Sequence, residues 1–306
     1  MQDEKWYKGN IHTHTTESDG DADPKTVVRW YRRHGYDFLV LSDHNHRTIL
    51  DYGDGRRRPR KPLMIPGEEV SVRLRNGTVP IHINGIGITR LVEPIDAGGI
   101  VATLQANVDA IVQAGGIASI NHPNYQWAFD HESIRQVTGA SLLEVFNGVP
   151  VANVNGAPGR PGYEEIWDGV LSAGKVIFGV ATDDSHNYSD FGYGMANPGR
   201  GWVVVRAAEL TADAIVDSLA SGDFYSSTGV SLAELDTSPS SVRVRIEQET
   251  SLIYTTRFTG RDGNLLAEVE GLEAEYSIRG DEGYVRATVV SSGNTKAWIQ
   301  PVLPRA

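Results

Sequence analysis

Gly9-Asn10-Ile11-His12-Thr13-His14, continued by Thr15-Thr16-Glu17-Ser18-Asp19-Gly20, is the stretch that decides how this chain is read. In extended backbone, residues i and i+2 point to one face. His12 and His14 can therefore converge on one ion, and Asp19 can return from the following turn with a hard oxygen ligand. A single pair of this kind is also a common surface or core feature. Its meaning depends on what stands in equivalent places farther along.

The arrangement recurs. Asp43-His44 follows Phe38-Leu39-Val40-Leu41, and Glu68-Glu69 follows Leu63-Met64-Ile65 and Pro66-Gly67. His122 follows Ile117-Ala118-Ser119-Ile120, and Asp183-Asp184-Ser185-His186 follows Val176-Ile177-Phe178-Gly179-Val180. His82 lies inside Pro80-Ile81-His82-Ile83-Asn84-Gly85. Apolar runs of β type that repeatedly end in His, Asp or Glu predict a polynuclear metal centre at the mouth of a barrel.

Between these runs the sequence alternates helix and strand signals. Asp23-Pro24 is a helix start, with Asp as cap and Pro in the first turn, and Gly35 is a stop. Further helices are expected over 103–114, 164–172 and from Thr211 to about Ala220, and further strands over 117–120, 142–146 and 176–180. Such alternation implies a mostly parallel sheet, and in a (β/α) barrel the site lies at the C-terminal strand ends. After about Leu235 the character changes to short alternating strands separated by turn clusters such as Arg261-Asp262-Gly263-Asn264. The expectation is an α/β fold: a barrel over 1–235, then a small antiparallel, β-sandwich-like domain over 236–306 with no candidate ligands.

Composition narrows the classes. The net charge of −11 disfavours a stable nucleic-acid partner, which needs an electropositive footprint. No run reaches the roughly 18 apolar residues that a membrane helix requires. The polar start, Met1 to Lys8, carries no signal segment and favours a cytoplasmic location, although a removed signal peptide would leave no trace. Cysteine is absent, so disulfides, thiolate zinc sites and cysteine nucleophiles are excluded. The candidate metal ligands are therefore His12, His14, Asp19, His44, Glu69, His82, His122, Asp184 and His186, more than one tetrahedral ion needs. Two or three divalent ions of zinc, manganese, iron or magnesium suit such ligands. Cations about 3.5–4 Å apart can hold a hydroxide and stabilise both attacking and leaving oxygens. That chemistry serves displacement at phosphorus and equally the hydrolysis of a carboxyl-type ester, carbamate or amide.

With Ser18-Asp19-Gly20, Ser42-Asp43-His44-Asn45, Pro66-Gly67-Glu68-Glu69-Val70-Ser71, Asn121-His122-Pro123 and Asp183-Asp184-Ser185-His186, the opening stretch resembles the motifs of the PHP (polymerase and histidinol phosphatase) superfamily. The resemblance covers roughly residues 9–230. Phe224 to Gly229, Tyr284 to Ala287 and Ala297-Trp298 resemble its carbaryl-hydrolase-like branch. The resemblance implies a distorted, TIM-like (β/α)7 barrel and a trinuclear centre. Carried over, His12 and His14 would hold one ion, with Glu69 and Asp184 reaching toward it. Glu69 would bridge to a second ion at His82 and His122, and Asp19, His44 and His186 would hold the third. Glu69, Asp184 and His186 are the expected catalytic residues. Glu68 is expected to face outward or act in a lid.

Beyond the ligands, His46, Asn147 and Arg200 are candidates for substrate contact, each weighed against a loop, hydrogen-bonding or surface role. Asp43 and Asp183 are expected to orient imidazoles or to close strand ends. The basic run Gly55-Arg56-Arg57-Arg58-Pro59-Arg60-Lys61 reads as a solvated loop or an anion attractor. Trp127, Phe129, Phe191 and Tyr193 are candidate apolar walls for a neutral substrate. The leading expectation is a metal-dependent phosphoesterase acting on a small phosphomonoester or phosphodiester through metal-bound hydroxide. The alternatives are a carbamate, carboxylic ester or phosphotriester hydrolase with the same centre, and a metal-containing binding protein without turnover.

Overall fold

The computed structural model describes residues 4–50, 62–249 and 251–304. The basic run 55–61 lies outside them.

Strand β1 (Lys5–Asn10) feeds the His12 segment. The Asp23 carboxylate then caps α1 (Pro24–Arg33), accepting from the Lys25 and Thr26 N–H groups, and Gly35 turns the chain at φ +77°. Strands β2 (Phe38–Val40) and β3 (Leu63–Ile65) continue a parallel set from β1. The Phe38 ring packs flat on Gly9, where any Cβ would stand 2.2 Å from ring carbons, so only glycine lets these strands close up. Strands β4 (Gly67–Leu74) and β5 (Val79–Ile86) form a hairpin, turned by Arg75, Asn76 and Gly77 at positive φ.

Helix α2 (Ile100–Gln113) starts three residues before the expected position, because its Gly99 cap has no side chain to announce it. Next come β6 (Ile117–Ile120), the short α3 (His131–Ile134), β7 (Ala140–Asn147), α4 (Tyr163–Ser172) and β8 (Phe178–Thr182). Strand β9 (Trp202–Ala207), α5 (Ala212–Ser221) and β10 (Phe224–Ser227) follow, with Thr211 capping α5 and Gly222 ending it. The remainder is β structure: β11 (Leu232–Ser238), β12 (Ser241–Ile246), β13 (Tyr254–Thr259), β14 (Leu265–Glu270), β15 (Glu273–Ser277), β16 (Val285–Ser291) and β17 (Lys296–Val302).

The strands make a five-stranded sheet, β4-β5-β6-β7-β8, and a nine-stranded sheet, β14-β13-β16-β17-β10-β9-β1-β2-β3. A three-stranded sheet, β11-β12-β15, completes the set. The fold is therefore mixed α/β. A ring of seven parallel strands is not what the ladders form. Strand β5 runs antiparallel to both neighbours, since a short hairpin link can only return the chain in reverse, and β1 pairs antiparallel with β9. Instead, two arcs meet at isolated parallel bridges, Thr13 to Ser185 and His44 to Glu69. The larger sheet runs without a break from β1 through β10 into β17.

Apolar side chains fill both sides of these arcs. Ile83, Leu104, Val108, Ile166 and Trp167 pack α2 and α4 onto the smaller sheet, and Ile11, Phe38, Val203, Ile215 and Phe224 pack α5 onto the larger one. A further cluster around Val242, Phe258, Ala287, Val289 and Ile299 joins the C-terminal strands to Tyr225. Among the described residues, no helix is long and apolar enough to cross a membrane.

Candidate metal centre

The candidate ligands stand where the two arcs join. After β1 and β8 the chain segments zip together: the His14 N–H donates to Ser185 O (2.9 Å) and the Asp184 N–H to His12 O (2.9 Å). On the other side the Asn45 N–H donates to Glu69 O (2.9 Å) and the Glu69 N–H to Asp43 O (3.2 Å). His122 and Asp184 each lie two residues beyond a strand end and adopt positive φ, 24° and 47°. Non-glycine residues rarely adopt that backbone, and it persists where surrounding contacts enforce it.

Glu69 sits at the middle of the cluster. Its Oε1 is 3.2 Å from His12 Nε2, 3.3 Å from His82 Nδ1 and 3.1 Å from His122 Nε2, and its Oε2 is 2.8 Å from His44 Nδ1. Asp184 Oδ1 is 3.1 Å from both His12 Nε2 and His14 Nε2. Asp19 lies 3.3 Å from His186 Nε2 and 3.5 Å from His44 Nε2. All nine candidate ligands fall into four overlapping groups, and within each group the ligand atoms are within 4.8 Å of one another. The groups are His14, Asp19, His44 and His186; His12, His14 and Glu69; His12, His122 and Asp184; and His44, Glu69 and His82.

These residues fit divalent cations. Among the described residues, His12 Nε2, His14 Nε2, His82 Nδ1 and Glu69 Oε2 are buried and, despite these close approaches, make no hydrogen bond of proper geometry, a state that costs free energy unless something else satisfies them. Converging lone pairs of imidazole and carboxylate supply it for borderline or hard ions. The carboxylates at the centre are held ionised. Burial alone would raise Glu69, but His82, His12 and His44 hold it well below the usual carboxylate range. Burial likewise opposes ionisation of Asp184, and His12, His14 and His186 reverse it. Burial, with His186 nearby, pushes His14 down to about 4, leaving it neutral as a ligand must be.

A surrounding layer of hydrogen bonds fixes the rings. Glu144 Oε1 lies 2.7 Å from His12 Nδ1, while its Oε2 accepts from the His122 N–H (2.7 Å) and from Asn147 Nδ2 (2.9 Å). Asn147 Nδ2 also donates to Asp184 Oδ2 (3.0 Å), so this residue braces the cluster from behind. Asn121 Nδ2 donates to Glu69 Oε1 (2.8 Å). Asp43 accepts from the Thr15 N–H and from the hydroxyls of Thr15, Ser18 and Thr48, which holds the turn leading to Asp19. Asp183 accepts from Tyr31 Oη and from the N–H groups of Arg200 and Gly201.

Other expected residues lie elsewhere. The Arg200 guanidinium donates to Gly148 O (2.8 Å) and tethers that loop without lining the cavity beside the cluster. His46 is half-exposed, 3.7 Å from Glu17, and also stands outside it. Glu68 is fully buried, not outward-facing: its Oε1 accepts from the Val92 N–H (2.6 Å), and burial pushes it up to about 7. The neighbouring face of β4 is covered by the chain leading to α2, which the strand alternation alone did not reveal. The cavity, about 240 Å³, has an apolar wall of Val149, Val151, Ala152 and Ala196, with Tyr125 beside His122. Trp127 and Phe129 instead line a separate depression with Arg160, and Phe191 and Tyr193 point to solvent. Sequence reasoning missed Arg73, which also lines the cavity; its position four residues beyond Glu69 in a strand was the available signal.

No protein-family model matches the chain, and no curated protein matches it. Solved structures do. A two-domain protein from Bacteroides vulgatus, containing a predicted PHP-like metal-dependent phosphoesterase, superposes with a TM-score of 0.54 at 16% identity. The alignment covers 94% of this chain and 90% of that one. The chain shares that protein's fold. Looser matches include a candidate metal-dependent phosphoesterase from Bifidobacterium adolescentis, with a TM-score of 0.36 at 15% identity over 62% of this chain and 89% of that one. The lesion-specific endonuclease of Pyrococcus furiosus gives 0.43 at 12% identity over 71% of this chain and 56% of that one.

Proposed function

We propose that the chain is a metal-dependent hydrolase whose reaction is the hydrolysis of a small phosphomonoester or phosphodiester. The observation that carries this reading is the convergence of nine His, Asp and Glu side chains, of which His12 Nε2, His14 Nε2, His82 Nδ1 and Glu69 Oε2 lie buried without a hydrogen bond among the described residues. Its fold, shared with a protein containing a predicted PHP-like metal-dependent phosphoesterase, supports the choice of electrophile. The reading takes two or three ions of manganese, zinc or iron. Asp19, His44 and His186 would hold one, His12, His14 and Asp184 another, and Glu69 would reach between these and His82 and His122. Bound divalent cations would supply acidification of water and neutralisation of charge on the ester oxygens.

The protein's own part is positioning. Glu144 fixes the His12 ring so that Nε2 faces Glu69 and Asp184. Glu69, Asp184 and His186 are the proposed catalytic residues on the resemblance of their motifs; all three belong to the ligand groups and line the cavity that would receive the ester. All nine ligands precede residue 235, so the chemistry is assigned to 1–235, with 236–306 as an attached β unit.

A second reading keeps the same residues but takes a carbamate, carboxylic ester or phosphotriester, in line with the carbaryl-hydrolase-like branch. The apolar wall formed by Val149, Val151, Ala152 and Ala196 favours it. Elemental analysis of protein purified without chelators, followed by aryl phosphates, bis-aryl phosphodiesters, aryl carbamates and aryl esters with each metal, decides between them. The expected result is metal-dependent release from phosphate esters, lost together with bound metal in Glu69→Ala and His122→Ala. A metal-replete protein inactive on every ester class would overturn the proposal.

A further inference from the structure

The β4–β5 hairpin places one cation at the mouth of the site. Its register pairs Glu69 with Asn84, Ser71 with His82 and Arg73 with Pro80. Directly opposed residues share a face, as do residues two apart along one strand. Glu69, Ser71 and Arg73 therefore form a row on the face that carries His82. Glu69 is buried at the inner end and Arg73 exposed at the outer end, yet both line the same cavity. Four residues of strand span about 13 Å, so Arg73 stands at the outer rim of the cavity whose inner end holds Glu69.

Arg73 is poorly engaged by the protein. Among the described residues lining the cavity it is the only Arg or Lys. Among the described residues its one hydrogen bond is long, 3.4 Å from Nη1 to Gly77 O, and no carboxylate pairs with it. Other strand arginines on this protein's surface do have such partners: Arg243 with Glu275, and Arg257 with Glu268. At the rim of an imidazole-rich cavity, a guanidinium that no described carboxylate pairs with offers a planar fork of donors, the geometry that matches a phosphoryl group. Val149, Val151 and Ala152 supply a non-polar surface in the same cavity.

We propose that Arg73 selects anionic substrates: it pairs with a non-bridging phosphoryl oxygen, while Val149, Val151 and Ala152 receive a small non-polar alcohol or phenol leaving group. This rests on the phosphoesterase reading and narrows its substrate to compact phosphate esters of apolar alcohols. Arg73 acts in specificity, so its loss weakens binding of the anion and leaves the ligand cluster intact.

The test compares metal-loaded wild type with Arg73→Met, Arg73→Lys and the neighbouring surface variant Arg75→Met. Bound metal, kcat and KM for 4-nitrophenyl phosphate and 4-nitrophenyl acetate, and binding of inorganic phosphate by calorimetry are measured for each. Arg73→Met is expected to raise KM for the phosphate ester and weaken phosphate binding by about tenfold or more, the loss of one charge-assisted hydrogen bond. Metal content and any acetate hydrolysis stay as in wild type, Arg73→Lys recovers part of the affinity, and Arg75→Met changes nothing. Unchanged phosphate affinity in Arg73→Met, or an equal loss for the neutral ester, overturns the proposal. If wild type hydrolyses no phosphate ester, the phosphoesterase reading fails, and the phosphate-binding comparison still decides the role of Arg73.

Discussion

Glu144 Oε1 and His12 Nδ1 meet at 2.7 Å, both fully buried, and this contact sets which nitrogen of His12 faces the ligand cluster. The same carboxylate takes hydrogen bonds from the His122 N–H, Asn147 and Thr182, so one side chain orients three parts of the site. Such outer partners typically contribute 10–100-fold in metal affinity. Glu144→Ala is therefore expected to lower metal affinity by about that factor while leaving the nine ligands in place. Competition titration with a chromogenic chelator measures it; wild-type affinity in the variant would remove Glu144 from this role.

Asp43 supports a different corner. It is fully buried and accepts from Thr15 and Ser18, whose turn delivers Asp19 to His44 and His186. Asp43→Ala should cost about 1–3 kcal/mol by stranding these donors. It should also weaken the ion assigned to Asp19, His44 and His186 more than the others. Urea denaturation reads the first effect and metal stoichiometry under limiting supply the second. Uniform loss of all ions would count against a local role.

Away from the site, the buried Arg286 guanidinium joins β16 to α4, donating to both oxygens of Asp168 at 2.6 and 2.7 Å. Removing one partner leaves the other charge buried and unpaired, which costs about 3–5 kcal/mol. Arg286→Met is expected to lose stability on that scale, and the double variant Arg286→Met with Asp168→Leu to regain part of it. A double variant no more stable than the single one would show that packing, not charge, is lost.

Glu164, beside this pair, gives the fold an acid sensitivity. Burial would raise its pKa, but Arg286 and Lys296 (Nζ to Oε1, 2.6 Å) outweigh that and hold it below the ordinary value. A depressed folded pKa contributes stability that is present above the unfolded pKa, about 4.3, and lost as pH falls through the folded one. The stability of wild type should therefore fall below about pH 4 more steeply than that of Glu164→Gln. Parallel acid dependences of the two denaturation midpoints would contradict this.

Much of this was legible because it depends on near neighbours in the chain. Asp23-Pro24 and Gly35 bound α1 through contacts within a few residues, and Thr211 and Gly222 bound α5 in the same way. The alternation in Ser241 to Ile246 reads directly as β12. The convergence of His12, His14, Asp19, His44, Glu69, His82, His122, Asp184 and His186 was also foreseeable, since residue type and place after an apolar run survive any detail of sheet order. Strands β9, β10 and β14 were missed: β9 and β10 are completed by partners far along the chain, β1 and β17, whereas β14 forms a hairpin with the neighbouring β13 that its mixed sequence does not announce.

What tertiary structure alone decided is the environment of each side chain. Glu68 and Glu69 are adjacent carboxylates, and only the covering of the second face of β4 buries Glu68 against the Val92 N–H. Arg200 was the expected cation and Arg73 was not, yet Arg200 is taken up by the Gly148 carbonyl while Arg73 lines the cavity unpaired by any described carboxylate. Local conformational preference acts over a few residues and is written in the chain. Pairing, burial and the competition for hydrogen-bond partners act between segments as far apart as Thr13 and Ser185, and exist only once those segments have met.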